Sequence, residues 1–239
     1  MMATQNLTNI QSQRHPSRAR ARAMGLMVEA GAKVAIGDVL DERGRQTAQT
    51  IAGASDAAMY SHLDVTREED WTAAIAATVA GFGGLDILVN NAGLFLGKGI
   101  EEAGLEEWHR LCAVNLTGVF LGTKHALPAL RERARHSPHG SAVVNLASVA
   151  GLVGSQVDPL YSMTKGGVTL FTKSTALEFA RKGYRIRVNS IHPGLIQTPQ
   201  GARRPSDNEE GRFFRAETIL DCGCTLRDPR GKAGPHAAG

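Results

Sequence analysis

The sequence lacks any run of about eighteen uninterrupted apolar residues, so nothing in it reads as a membrane-spanning helix. Cysteine is scarce: Cys112, Cys222 and Cys224 are the only three. An odd count supplies no disulfide framework, which excludes a small stapled scaffold and agrees with a cytoplasmic enzyme domain. Cys222-Gly223-Cys224 has no second cysteine or histidine pair at a zinc spacing, so no metal site is expected. No internal repeat and no linker-like stretch occur before about Gln200. Excess charge is also missing from the body of the chain. Of 27 Lys and Arg, four are Arg14, Arg18, Arg20 and Arg22, and no acid occurs before Glu29. The other 23 face 23 Asp and Glu, so no basic surplus points to nucleic acid. The acid-free, arginine-rich start has the composition of a basic arm or a targeting segment. The expectation adopted is an irregular, disordered segment over residues 1–22.

What is present is an ordinary globular composition. The 239 residues are 42% hydrophobic and 21% charged, enough for one domain with a sizeable core. Apolar runs alternate with helical patterns. Strands are expected at Lys33–Gly37, Ala58–Leu63, Leu85–Val89, Ala142–Ala147 and Arg185–Ile191. Helices are expected at Asp41–Ala52, Arg67–Ala80, Leu105–Arg133 and Leu160–Lys182. Such alternation predicts an α/β domain with a parallel sheet covered on both faces. Ser137-Pro138-His139-Gly140 reads as a turn.

Ser148 follows the apolar run Ala142–Ala147, and Tyr161 precedes Lys165 by four residues. Residues four apart on a helix share a face. The end of a strand, followed by a loop and a helix, is where open α/β sheets place chemistry. A free phenol has a pKa of about 10, and a neighbouring ammonium favours its ionised form. A serine hydroxyl alongside polarises a carbonyl oxygen. The set suits proton transfer to or from an alcohol oxygen while a cofactor moves the hydride. On spacing alone, Tyr161 and Lys165 equally fit a half-buried tyrosine beside a solvated lysine.

The surrounding motifs decide between these. Asp38 closes Lys33–Gly37, and Asp64-Val65 follows Ala58–Leu63. Asn90-Asn91-Ala92-Gly93 follows Leu85–Val89, and Asn115 sits in Val114–Phe120. Ser148, Tyr161 and Lys165 come next, then Pro193-Gly194 and Thr198. In this order, from about Met24 to Thr198, the chain resembles the short-chain dehydrogenase/reductase family in its classical branch. Arg181–Gly194 is most similar to bacterial hydroxysteroid and cyclic-alcohol dehydrogenases.

The resemblance implies a Rossmann-like, doubly wound parallel sheet in one domain over residues 23–199, with NAD as cofactor. Tyr161 is then the general acid or base. Lys165 lowers the Tyr161 pKa and binds the nicotinamide ribose. Ser148 orients the substrate oxygen. Asn115 marks a helix distortion whose backbone holds a water linked to Lys165. Asp38 accepts hydrogen bonds from the adenosine ribose and repels a 2′-phosphate. With Val39 and Leu40 following it, NAD is favoured over NADP. Asp64 and Val65 border the adenine, although Asp64 also fits a turn former or helix cap, with Thr66 the nearer cap. Asn91, Ala92 and Gly93 line the cofactor and also fit a purely structural turn. Pro193 and Gly194 pass the nicotinamide, and Ile196 and Thr198 meet its carboxamide. Gly151–Leu160, which includes Leu152, Val153, Gln156, Val157 and Asp158, lines the substrate site. A hydrophobic secondary alcohol or ketone is the expected substrate, with a 3-oxoacyl thioester or sugar as the other class. Oligomerisation through the two long helices is also implied.

Two regions depart from the family. Counting back from Glu29-Ala30-Gly31 places Arg14, Arg18 and Arg20 where the family has a glycine-rich phosphate loop. Glycines there allow close backbone approach to the pyrophosphate. The polar stretch before it predicts no normal first strand, with Thr4–Ile10 a poor substitute. After Thr198, residues 200–239 show no clear final helix and strand. Loss of pattern at both ends predicts a shifted frame or misplaced start. It also raises the alternative of a non-catalytic remnant with impaired dinucleotide binding.

Overall fold

The computed structural model describes residues 6–8, 18–53 and 55–194. In chain order these are β1 (Asn6–Thr8), α1 (Arg18–Glu29), β2 (Lys33–Asp38), α2 (Asp41–Ala52), β3 (Ala58–His62), α3 (Glu68–Phe82) and β4 (Ile87–Asn90). There follow α4 (Leu105–Cys112), a π-helical turn (Ala113–Thr117), α5 (Gly118–His136), β5 (Ser141–Leu146), a 3-10 turn (Val149–Gly151), α6 (Pro159–Arg181) and β6 (Ile186–Ile191).

The six strands form one parallel sheet in the order β3-β2-β1-β4-β5-β6. The order reverses between β1 and β4, and ligands of doubly wound sheets bind at such a switch point, outside the carboxyl ends of the strands. A central slot left empty would orphan backbone groups on both β2 and β4. Asn6–Thr8 fills it, pairing Leu7 with Val34 on one side and with Ile87 on the other. The strand is only three residues long, so the expected loss of a normal first strand is partial. Within residues 1–22, β1 and the first turn of α1 are regular elements.

Burial explains the layers. Successive strand side chains point to opposite faces. On β4, Leu88 joins a core with Leu63, Trp71, Leu111, Leu121, Leu130 and Val143, which seats α3, α4 and α5. Its neighbours Ile87 and Val89 pack with Met24, Val34, Ile36 and Ala48, which seats α1 and α2 on the other face. Helix starts follow charge and capping. Glu68, Glu69 and Asp70 occupy the first turn of α3 and complement its dipole. At α6, Asp158 is the N-cap and Pro159 opens the helix. The helix expected over Leu105–Arg133 is two helices joined by the π-helical turn that contains Asn115.

Candidate active site

The carboxyl ends of β2, β4, β5 and β6 bring the predicted residues to one edge of the sheet. Asp38 ends β2 and is buried. Its Oδ1 accepts the Leu40 N–H at 2.9 Å, and its carbonyl accepts from Leu63 N–H at 3.1 Å and the Tyr60 hydroxyl at 2.7 Å. One turn of chain is thereby fixed with its carboxylate at the strand end.

Asp64 behaves as a turn former. Its Oδ1 accepts the Thr66 N–H at 2.9 Å and the Thr66 hydroxyl at 2.8 Å. Thr66 is therefore not the cap expected of it; the N-cap of α3 is Arg67, which makes no side-chain cap. Val65 is fully buried, and its carbonyl accepts Trp71 Nε1–H at 3.0 Å.

Asn90, Asn91, Ala92 and Gly93 leave the end of β4. Asn90 Nδ2 donates to Asn145 Oδ1 at 2.9 Å, and Asn145 Nδ2 donates to Thr172 Oγ1 at 2.9 Å. This chain of amides joins the ends of β4 and β5 to α6. Gly93 lies against two of the site's groups: a Cβ there would meet Lys165 Nζ at 3.4 Å and Asn115 Oδ1 at 3.6 Å, ordinary contact distances.

Asn115 is fully buried in the π-helical turn. Its Oδ1 accepts the Leu94 N–H at 2.7 Å, and its Nδ2 donates to the Leu94 carbonyl and Thr164 Oγ1, each at 3.0 Å. A buried amide must be satisfied, and this one spends its groups holding the loop after β4 to α6. The side chain thus acts as a brace as well as marking the expected helix distortion.

Ser148 lies two residues beyond β5 and is buried; Tyr161 sits one turn into α6 and is half-buried. The Ser148 side chain lies close enough to the Tyr161 phenol to act on its titration. Burial is the largest influence on the Tyr161 phenol and raises its pKa, the Ser148 side chain lowers it, and the charge of Asp158 raises it. Lys165 is buried, with Nζ donating to the Leu146 carbonyl at 2.6 Å and standing 5.6 Å from the Tyr161 ring centroid. Burial pushes its pKa down to about 8. The lowering of the phenol expected from Lys165 therefore does not dominate here, because the ammonium is desolvated and turned to a backbone carbonyl.

Pro193 and Gly194 follow β6 at the same edge. Ile196 and Thr198 lie outside the described residues, as do Cys222, Cys224, residues 13–17 of the glycine-loop position, and 200–239. Asp158, expected among substrate-lining residues, is instead completely buried as the cap of α6. Sequence reasoning missed that role, although Asp followed by Pro is a helix-start signal. It also missed His192, which is buried with Nδ1 3.1 Å from the Ser148 carbonyl and Nε2 2.9 Å from Ser190 Oγ. The tautomer protonated on Nδ1 satisfies both contacts and braces Ser148. No local pattern announces this histidine, whose partner is 44 residues away. Among the described residues no group of three or more His, Cys, Asp or Glu is arranged to hold a metal, and no helix is long and apolar enough to cross a membrane.

Comparison with known proteins agrees with this geometry. The family model for short chain dehydrogenase matches residues 20–209. The chain is 47% identical over 201 residues to a 3-alpha-(or 20-beta)-hydroxysteroid dehydrogenase of Mycobacterium bovis, covering 82% of this chain and 74% of that protein. It is 42% identical over 193 residues to a trans-4-hydroxycyclohexanecarboxylate dehydrogenase of Sinomonas cyclohexanicum, covering 76% and 71%. The crystal structure of a 3-ketoacyl-(acyl-carrier-protein) reductase from Brucella melitensis, complexed with NADH, superposes with a TM-score of 0.72 at 31% identity, covering 83% of this chain and 78% of that one. With its fold, its Ser148–Tyr161–Lys165 cluster and these matches, the chain belongs to the short-chain dehydrogenase family of oxidoreductases acting on CH–OH groups.

Proposed function

We propose that this chain is an NAD(H)-dependent oxidoreductase that interconverts a hydrophobic secondary alcohol and its ketone. The observation that carries the reading is the meeting of Ser148, Tyr161 and Lys165 beside Gly93 at the carboxyl edge of the sheet. A nicotinamide dinucleotide supplies the hydride acceptor or donor. Two features of the chain fit it: the carboxylate of Asp38 held at the end of β2, and Gly93 placed against Lys165 and Asn115 at the end of β4. Asp38 takes the adenosine ribose hydroxyls. Asp64 and Val65 border the adenine. Asn91, Ala92 and Gly93 line the middle, Lys165 takes the nicotinamide ribose, Pro193 and Gly194 pass the nicotinamide, and Ile196 and Thr198 take its carboxamide. The carboxylate of Asp38, followed by Val39 and Leu40, supports NAD over NADP.

In oxidation the Tyr161 phenolate accepts the alcohol proton; in reduction the phenol donates a proton to the carbonyl oxygen. Ser148 donates to that oxygen and holds it within reach of Tyr161. Since burial raises the phenol, Lys165 in its ammonium form is needed to favour the phenolate.

The substrate class is supported by the two bacterial relatives, whose names specify ring alcohols. Phe95, Leu152 and Val153 are exposed apolar side chains on the loops beside Ser148 and Tyr161, which suits a hydrophobic ring. A 3-oxoacyl thioester is the second class, favoured by the Brucella reductase. The reading includes a cytoplasmic location and a homo-oligomer. Phe120 of α5 and Leu170 and Leu177 of α6 are exposed, and a cleft of about 330 Å³ between the two helices is lined by Leu116, Phe120, Val168 and Phe171.

The test is a fluorescence titration of the full chain with NADH and NADPH, followed by NAD-linked oxidation of cyclic alcohols. Saturable binding that prefers NADH, with turnover lost in Tyr161→Phe, is expected. A folded chain that binds neither coenzyme overturns the reading and leaves the non-catalytic remnant.

A further inference from the structure

Asp158 is 0% exposed. A carboxylate taken out of water is tolerated only when hydrogen bonds replace its hydration. Three backbone N–H groups do so. Oδ1 accepts from Tyr161 N–H at 2.8 Å, while Oδ2 accepts from Leu96 N–H at 2.9 Å and Gly97 N–H at 2.8 Å. One side chain therefore joins the first turn of α6 to a loop some 61 residues earlier. Gly97 has φ +68°, and a Cβ there would come within 3.1 Å of the Phe95 ring. That ring meets Tyr161 edge-on, with centroids 5.3 Å apart and planes at 82°. The contacts close on themselves: Asp158 to Gly97, Gly97 to Phe95, Phe95 to Tyr161, and Tyr161 back to Asp158.

We propose that Asp158 is a positioning residue that ties α6 to the Leu94–Gly97 loop, holds Phe95 against Tyr161 and so fixes an apolar wall of the alcohol site. The proposal rests on the reading of Tyr161 as the acid–base group. It differs from ordinary helix capping in two respects. The carboxylate reaches outside its own helix to the loop that carries Phe95. Its charge also acts on the phenol, raising the pKa beyond what burial does, against the influence of the Ser148 side chain. The other groups facing Tyr161 are Lys165 on α6, Ser148 after β5, and His192 after β6 through the Ser148 carbonyl. The Leu94–Gly97 loop contributes only apolar side chains, and Lys98 beyond it is paired with Glu107 at 2.7 Å. Asp158 is thus the acidic group in this set, and removing its charge moves the Tyr161 titration to lower pH.

The experiment uses the full chain with its tyrosines carbon-13 labelled at Cζ and titrated by NMR, the Tyr161 resonance being identified with Tyr161→Phe. Asp158→Asn keeps an acceptor for Tyr161 N–H and removes the charge. Its Tyr161 midpoint moves to lower pH, and Phe95–Tyr161 ring contacts weaken. Gly97→Ala keeps the charge and displaces Phe95. It loses the ring contact without the downward shift, and kcat/KM for cyclohexanol falls relative to isopropanol. An unmoved Tyr161 midpoint with an intact ring contact in Asp158→Asn overturns the proposal. Should Asp158→Asn fail to fold, Gly97→Ala decides: a retained ring contact and an unchanged alcohol ratio overturn it. A wild type that oxidises no alcohol, with both NMR changes seen in Asp158→Asn, sinks the functional reading and leaves the clamp standing.

Discussion

Lys165 donates its buried ammonium to the Leu146 carbonyl at 2.6 Å, which pins α6 to the last residue of β5. The two elements that carry Tyr161 and Ser148 are thereby held in register by the same side chain that faces the Tyr161 ring. The ammonium is poorly solvated there, and its pKa falls from 10.5 to about 8. Its folded-state value lies below its unfolded value. Between these pH values the unfolded chain binds more protons, so the Lys165 contribution to stability becomes more favourable as pH rises.

Lys165→Met tests that sign. Burying a charged ammonium costs about 3 kcal/mol at neutral pH for a shift of this size. Urea unfolding near pH 7 and near pH 10 should show the wild type gaining on Lys165→Met by about 2 kcal/mol. The variant should be inactive at both. A stability difference that is flat with pH would mean the ammonium is not desolvated.

Tyr161→Phe keeps the ring that meets Phe95 and removes only the hydroxyl. General acid–base groups contribute about a hundredfold to ten-thousandfold. The variant should lose kcat within that range while NADH affinity, read by fluorescence, is unchanged. Equal losses in binding and turnover would place Tyr161 in cofactor binding rather than proton transfer.

Asn115→Ala removes the brace between the loop after β4 and α6. It leaves the Leu94 N–H, the Leu94 carbonyl and the Thr164 hydroxyl without the amide that now serves them. Orphaned buried groups of this kind cost roughly 1–3 kcal/mol. Denaturant unfolding should show a loss of about 3 kcal/mol. Turnover should fall as well, because Gly93 lies against both this amide and Lys165.

Long periodic segments are legible in the sequence alone. Asp41–Ala52 has the bounds of α2, and Pro159–Arg181 differs by one residue at each end from the helix read over Leu160–Lys182. The order of Asp38, Asn90–Gly93, Ser148, Tyr161 and Lys165 also places each at a strand end or helix start. What escaped was set by tertiary partners. Asn6–Thr8 has no strand pattern of its own and is a strand because β2 and β4 flank it. Asp158 stands among loop residues in the sequence, yet its partners Leu96 and Gly97 lie far back in the chain. His192 precedes Pro193 with nothing nearby to mark it as the brace of Ser148.

Asp38→Ala addresses the coenzyme. The carboxylate is held at the end of β2 by Leu40, and the Tyr60 hydroxyl fixes the backbone that carries it. On the proposed reading, removing it deletes an acceptor for ribose hydroxyls and a charge that repels a 2′-phosphate. The Kd for NADH should rise about tenfold, a loss of about 1.4 kcal/mol, and that for NADPH should fall. Parallel changes for both coenzymes would show that Asp38 supports the fold of the site without choosing between them.

Phe120→Asp with Leu170→Asp addresses assembly. Phe120 is 49% exposed and Leu170 66% exposed, on the two long helices. Unpaired apolar side chains of this size are a standing cost in water, and each is worth about 2 kcal/mol when covered. A two-fold interface uses the same patch on both subunits, so each substitution acts twice. Charges introduced there must be desolvated on association, which adds to the loss. Sedimentation should find the wild type as a dimer or larger and the double variant as a folded monomer. Because neither side chain touches the Ser148–Tyr161–Lys165 cluster, NADH binding should persist in the monomer. A wild type that sediments as a monomer would remove this face from the account of assembly and leave its exposed apolar side chains to another partner.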